Sequence, residues 1–385
     1  MLLMAAAPAW AQDTRAAAIA AEQNQKAAQL APPKSHWAEE LLLTMRKTLV
    51  ENPSGIYPYF DSVYSGGGFT LGAGTRRFTG DRTHWAVAGL YSAKGYKLID
   101  GSTVSPGHFA GRLDLHANAR WRDATRVAYH GLGMASPADA NTAFRMQQGY
   151  AGGDVTARPH RRLLLTAGVS YERYAIEDPT GTHTPVDAVF DEATAPGVGV
   201  SPEYLHTTAS LAFDSRPAAD YARRGALYKI ARHRYSDRDA TYSFDRLDAE
   251  IVQHVPILRE NWVLSLHGRL ETTLHDDDRV PYFLLPALGS GSTLRGYSSW
   301  RFRDRHSVLF SGEWRWIPNR LGLDMALFYD TGMVAPELDA ISSGGFVSNY
   351  GIGARFHGPA RTPLRVELAH GREGTRLVFA ASAAF

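Results

Sequence analysis

From Ile56 to Phe385 the chain repeats one motif of patterning, in which apolar and polar residues alternate with a period of two. In Asn261–Glu271, Trp262, Leu264, Leu266 and Leu270 share one face, while Val263, Ser265, His267, Arg269 and Glu271 share the other. In Leu321–Asp330, Leu321, Leu323, Met325, Leu327 and Tyr329 oppose Gly322, Asp324, Ala326, Phe328 and Asp330. In Pro363–His370, Leu364, Val366 and Leu368 oppose Arg365, Glu367 and Ala369. In the last stretch Leu377, Phe379, Ala381, Ala383 and Phe385 share a face. Successive side chains of a strand point to opposite sides, so each stretch reads as a strand with one wet face and one apolar face. The pattern predicts sixteen strands, near 56–64, 66–78, 84–96, 108–121, 124–131, 143–157, 162–175, 203–215, 224–237, 245–257, 261–274, 306–317, 321–331, 346–356, 363–370 and 375–385.

Before Ile56 the period is different. Ser35 can cap a helix whose Trp37, Leu41, Met45 and Leu49 fall on one stripe, and Pro53 with Gly55 ends it, which predicts a short helix over 36–49. Residues 13–34 are rich in Ala and Gln and stop at Pro32-Pro33, as a linker or frayed helix would. Residues 1–11 are a short apolar run closing on Ala9-Trp10-Ala11, similar to the cleavage end of a secretory signal peptide. The expected organisation is therefore a signal peptide over 1–11, a helical and linker segment on the periplasmic side over 12–54, and a strand domain over 55–385.

Alternation alone does not separate a soluble sandwich from a membrane barrel. Three further features do. Many strands reach ten or more residues, above the usual soluble length of about 5–6. Aromatic residues gather at strand ends, among them Trp262, Trp314, Trp316, Tyr329, Tyr350, Phe356 and Phe385, as membrane girdles require. Short links (FTGDR, RDA, RPHR, PILRE, IPNR, GPART) alternate with mostly longer ones (KLIDGSTVSPG, GLGMASPADANT, 176–202, 274–305, TGMVAPELDAISSGG), like the periplasmic turns and outer loops of a barrel. The expected fold is all-β, a transmembrane antiparallel β-barrel of sixteen strands with a short N-terminal helix. Composition agrees. Gly numbers 36 and aromatics reach 11%, which suits a β protein with many turns. No stretch approaches the ~18–20 apolar residues of a spanning helix, so a crossing would have to be made by strands. Cysteine is absent, which excludes disulfides, Cys-based zinc sites and a thiol nucleophile. A formal charge of +2 gives a weak field and no sign of nucleic-acid binding.

Leu285–Arg305, LPALGSGSTLRGYSSWRFRDR, breaks the alternation for about twenty residues, a length rarely left irregular in a compact domain. It holds the tetrad Leu294-Arg295-Gly296-Tyr297 and falls between the eleventh and twelfth strands, in the sixth outer loop. Here the chain resembles the BamA/TamA family of outer-membrane assembly barrels, the bacterial surface antigen superfamily, which carries a Val/Leu-Arg-Gly-Phe/Tyr tetrad at this place. The preceding LPALGSGST resembles the family's Leu-Pro and Gly-rich lead-in, and Phe328–Gly332 (FYDTG) its Phe-x-Asp-x-Gly stretch on strand thirteen. Glu313 lies in the neighbouring strand-twelve motif. Phe385, behind Phe379 and Leu377, resembles the C-terminal signal by which such barrels are recognised for insertion. The resemblance covers roughly 56–385 and implies a loop folded back into the lumen. Arg295, always charged and fork-shaped, would then pair with Asp330 and with Glu313 on the inner wall. A solvated Arg295 in an outer loop is the alternative reading.

The resemblance further implies an integral bacterial outer-membrane protein without enzymatic activity. Its partners would be outer-membrane lipid, client outer-membrane or secreted proteins, and the assembly machinery that inserts it. Its function would be assembly of proteins into, or translocation across, the outer membrane, with a weak seam between the first and last strands. The alternative is a static structural or porin-like barrel without client handling. Residues 12–55 do not read as a POTRA module, so a barrel-only member is expected. No G-x-S-x-G, H-E-x-x-H or Walker pattern occurs, and no cofactor or metal site is expected. His267 reads as part of a lumenal polar network. His275–Arg279 (HDDDR) is better read as an exposed acidic loop than as a hard-cation site, and Arg158–Arg162 (RPHRR) as a charged periplasmic turn.

Overall fold

In the computed structural model the alternation becomes one antiparallel meander. The structure describes Ala18, Ala21, Glu22 and residues 54–385, apart from 220, 259–260, 276–278, 319–321, 358–361, 363 and 381. The chain divides into a unit over Met1–Met45 and a unit over Arg46–Phe385. The predicted signal peptide and the helix over 36–49 lie outside the described residues. In the second unit sixteen strands follow in chain order: β1 Gly55–Tyr59, β2 Thr70–Thr79, β3 Thr83–Ser92, β4 Lys97–Gly107, β5 Leu113–Tyr129, β6 Thr142–His160, β7 Leu163–Glu177 and β8 Glu203–Asp214. They continue as β9 Gly225–Asp237, β10 Phe244–Leu258, β11 Trp262–Thr273, β12 His306–Trp316, β13 Leu323–Ala335, β14 Val347–Phe356, β15 Leu364–Gly371 and β16 Gly374–Ala380. Each pairs antiparallel with the next.

This is a transmembrane β-barrel, and its two faces show why. Outward-facing Leu327, Ile352, Leu377 and Phe379 are each more than half exposed. The inward face buries Glu313, Asp324, Asp330, Arg355, Arg365 and Glu367. A soluble sandwich would have to reverse that arrangement; an apolar exterior is stable only against hydrocarbon. Links such as 130–141, 178–202 and 274–305 gather at the outer end, and links such as 80–82 and 161–162 at the periplasmic end. The outer mouth is not empty. Tyr129, Phe144, Tyr174, Tyr204, Tyr282 and Phe283 form an aromatic cluster inside it.

The strand count agrees with the sequence pattern, but two of its parts require correction. KLIDGSTVSPG, expected to be a long link, is strand β4, paired with β3 and β5. Its Gly, Ser and Thr have turn chemistry, but cross-strand pairing supplies the hydrogen bonds that these residues would otherwise seek in a turn. Conversely, 108–121 and 124–131 are not two strands joined by RDA. They are the single strand β5, whose register shifts between Ala124 and Val127. A bulge inserts an unpaired residue and breaks the alternation without ending the strand. The two errors cancel in the count. The last strand also stops at Ala380, short of the expected 385.

Candidate functional site

The tetrad is buried in the barrel. Its loop folds inward because small residues let it approach the wall. A Cβ at Gly296 would meet the Asn349 Cβ at 2.6 Å and the Gly371 nitrogen at 3.1 Å. Ala287–Leu288 pairs with Phe302–Arg303 as a two-residue ladder that closes the loop at its base. Within it, Trp300 donates its backbone N–H to the Gly289 carbonyl at 2.8 Å. Leu294, Tyr297 and Phe302 pack with Leu288, Leu309 and Val334 in a small core. The Tyr297 hydroxyl donates to the Ser348 carbonyl at 3.3 Å.

Arg295, 2% exposed, is held from four sides. Nε and Nη2 donate to the two oxygens of Asp330 at 2.8 and 2.6 Å. Nη1 donates to Glu313 at 2.9 Å and to Glu367 at 3.0 Å. The guanidinium carbon stands 3.6 Å from the centroid of the Phe328 ring. Burial opposes the charge on Arg295, but Glu313, Asp330 and Glu367 outweigh it and raise its pKa. Phe328–Gly332 on β13 thus acts as one device. Phe328 stacks on the guanidinium, Asp330 binds its fork, and Gly332 gives room to Leu288, whose Cδ1 would lie 2.9 Å from a Cβ there. Asn349 donates to Asp330 at 2.8 Å and fixes the carboxylate.

The network extends beyond the residues singled out from sequence. Glu367 on β15 also accepts from Arg355 at 3.1 Å and from Arg365 at 2.7 Å. Arg355 pairs with Glu313 as well. Arg365 donates to the Gly291 carbonyl of the loop at 2.6 Å. Three guanidiniums, Arg295, Arg355 and Arg365, therefore face three carboxylates, Glu313, Asp330 and Glu367, so the buried charges sum to zero. The alternation put Glu313, Asp330, Arg355, Arg365 and Glu367 on the polar face, and Arg295 lies in the loop that interrupts it. Only register across β12 to β15 shows that they meet.

Farther out, Arg301 ties the same loop to its neighbours. It donates to Glu373 at 2.8 Å and to the hydroxyl and carbonyl of Ser136, each at 2.7 Å. Trp300 donates from its indole to the Ser65 carbonyl at 3.0 Å and stacks on Tyr64. A cavity of about 280 Å³ remains between the loop and the wall that carries Arg246, Arg269 and Glu271. At the periplasmic end the link between β8 and β9 turns inward. Its Tyr221 donates to Asp324 at 2.6 Å and stacks on His357 at 3.8 Å.

Leu377 and Phe379 face outward on β16, but Phe385 does not share their side. Its ring stacks on His267 at 4.9 Å and on His254 at 6.4 Å, on the inner face of β10 and β11. The expected common face is overturned because the strand ends at Ala380, which frees the following residues from alternation. His267 Nε2 donates to a Glu250 carboxylate oxygen at 3.1 Å, in a polar network. Asp276, Asp277 and Asp278 lie outside the described residues, and Arg158 pairs with Asp114.

A family model, the Omp85 superfamily domain, matches residues 79–379. The fold is similar to BamA from Haemophilus ducreyi lacking POTRA domains 1–3, with a TM-score of 0.61, 15% identity, and coverage of 84% of this chain and 69% of that one. It is similar to CdiB from Escherichia coli, with a TM-score of 0.58, 12% identity, and coverage of 86% and 62%. CdiB from Acinetobacter baumannii gives 0.53, 11%, 86% and 57%. The chain thus spans less than two thirds of the length of either CdiB structure. No curated protein matches it by sequence.

Proposed function

Since the chain belongs to the Omp85 superfamily, we propose that it is an outer-membrane barrel that passes client polypeptides into or across the outer membrane, with residues 12–54 on the periplasmic side. The observation that carries this reading is the filled lumen beside short terminal strands. Loop six is locked to β12, β13 and β15 by buried ion pairs, which disfavours free diffusion through the centre. β1 and β16, at five and seven residues, are the shortest of the sixteen strands. Among the described residues β1 pairs with β2 and β16 with β15, and no ladder joins β1 to β16. Strands this short can offer one another few hydrogen bonds, so the route for a client lies between them. Leu377 and Phe379 supply the apolar outer face by which the assembly machinery recognises the last strand, and Arg295 with Asp330 and Glu313 holds the loop as a fixed internal strut.

The chain has no native cysteine, so paired cysteines can be scanned cleanly, one within Gly55–Tyr59 and one within Gly374–Ala380. Oxidation should block client insertion or secretion, and reductant should restore it. Unchanged client handling in a quantitatively cross-linked seam would leave a static barrel as the reading.

A further inference from the structure

The membrane-facing wall is not uniform. From β11 to β16 the outward strand positions carry no Lys, Arg, Asp or Glu among the described residues. On β9, by contrast, Arg232 and Arg234 point outward in the outer half of the strand, with side chains 61% and 46% exposed. They share one carboxylate. Arg232 Nε donates to Asp245 Oδ1 at 3.2 Å and Arg234 Nη1 to Asp245 Oδ2 at 2.5 Å. Among the described residues, two guanidiniums, with His275 Nε2 3.8 Å from the same carboxylate, leave a net positive charge on a face that meets lipid. Such a charge is stable there only if it reaches headgroups or a bound anion.

Next to Arg232 the wall is hollowed. One register row crosses β6 to β10 as Val155, Ala167, Ala209, Arg232 and Leu247. The row on its periplasmic side carries the large Leu165, Leu211 and Ile230. Ala167 and Ala209 thus form the floor of an apolar trough of about 620 Å³ that ends at Arg232. From Val155 to Arg232 three interstrand steps span roughly 14 Å at ~4.8 Å each, within the reach of an extended fatty-acyl chain.

We propose that this face is a binding site for a phosphorylated, acylated glycolipid of the outer leaflet. One acyl chain lies over Ala167 and Ala209, and a phosphate accepts hydrogen bonds from Arg232 and Arg234. The planar guanidinium suits a phosphate, the trough suits only an apolar chain, and the two adjoin in the order that a lipid presents them. The site lies on the opposite side of the sheet from the loop-six network and does not depend on the client-handling reading.

The test is native mass spectrometry of the full chain in detergent, titrated with diphosphoryl lipid A, with folding checked by heat-modifiable migration. Removing charge-assisted phosphate contacts in R232Q/R234Q should lower the lipid-bound fraction by about tenfold or more. Filling the trough with Ala209→Trp should do the same, while Leu327→Trp on the far wall should leave it unchanged. If the double Gln variant does not fold, R232K/R234K keeps the charge, loses the fork and should still weaken binding. Equal binding by all variants overturns the proposal. So does loss confined to the arginine variants, which would mean charge attraction without a seat for the chain. So does a dimer that Ala209→Trp dissolves, which would make the trough an interface between copies.

Discussion

Arg295 is the residue on which the loop's position rests. Replacing it by Ala leaves Glu313, Asp330 and Glu367 near one another in a buried site, with Arg355, Arg365 and, beside Glu313, Arg315 to compensate. Stability should fall by roughly 3–5 kcal/mol, measured by urea unfolding in detergent. A double-mutant cycle of Arg295→Ala with Asp330→Ala should show coupling of at least about 1 kcal/mol; additive effects would mean that the pair is not an energetic unit. Gly296→Ala should displace the loop, because the added carbon has no room beside Asn349. The cost should be about 1–3 kcal/mol, read as faster proteolysis of 285–305. A third residue acts through protons. His130, in the outer link 130–141, is pushed down to about 4 by burial and by Arg301. Its ordinary value is 6.5, so an unfolded link binds the proton first as the pH falls. Closure of that link is strongest above pH 6.5, weakens between 6.5 and about 4, and is level below that. The change is at most about 3 kcal/mol. Hydrogen-exchange protection factors over 130–141, referred to the intrinsic rate at each pH, should fall from pH 7 to pH 5 in the wild type, and His130→Gln should abolish that dependence.

At the level of the strand, the period of two decides which substitutions the barrel tolerates. Leu327, on the outward face of β13, is 54% exposed and meets lipid. Leu327→Arg should cost about 2–4 kcal/mol in a bilayer, measured by equilibrium unfolding from lipid vesicles. In detergent, where the head can reach water, the penalty should shrink. The same period explains which strands were legible. β11, β13 and β15 show clean alternation and were placed within a few residues. β4 was missed because its Gly, Ser and Pro have the chemistry of turns, and β5 was split because its bulge mimics one. In both cases the deciding hydrogen bonds come from neighbouring strands, which local patterning does not report.

At the level of the molecule, a lumen occupied from its outer end by loop six is the setting for any function. Loop six and the aromatic cluster fill the outer half, and Tyr221 reaches across the periplasmic end to Asp324 and His357. Those two reaches of Tyr221 span 103 and 136 residues of sequence, and no spacing rule encodes them. The sequence by itself determined the class of fold, the wet and apolar faces and the long irregular loop over 285–305, because periodicity and its interruption are local properties of the chain. The sixteen-strand count agrees only because a missed strand and a split strand offset each other, and the pairing of Arg295 with Asp330 and Glu313 is what the family resemblance implies rather than what the pattern encodes. Only the tertiary structure decided that Glu367, Arg355 and Arg365 complete the ion network, that Phe385 turns inward, and that Ala167, Ala209 and Arg232 share one row on the lipid face. Those meetings depend on register between strands. Register is set by pairing energies summed over the whole sheet rather than by any one segment.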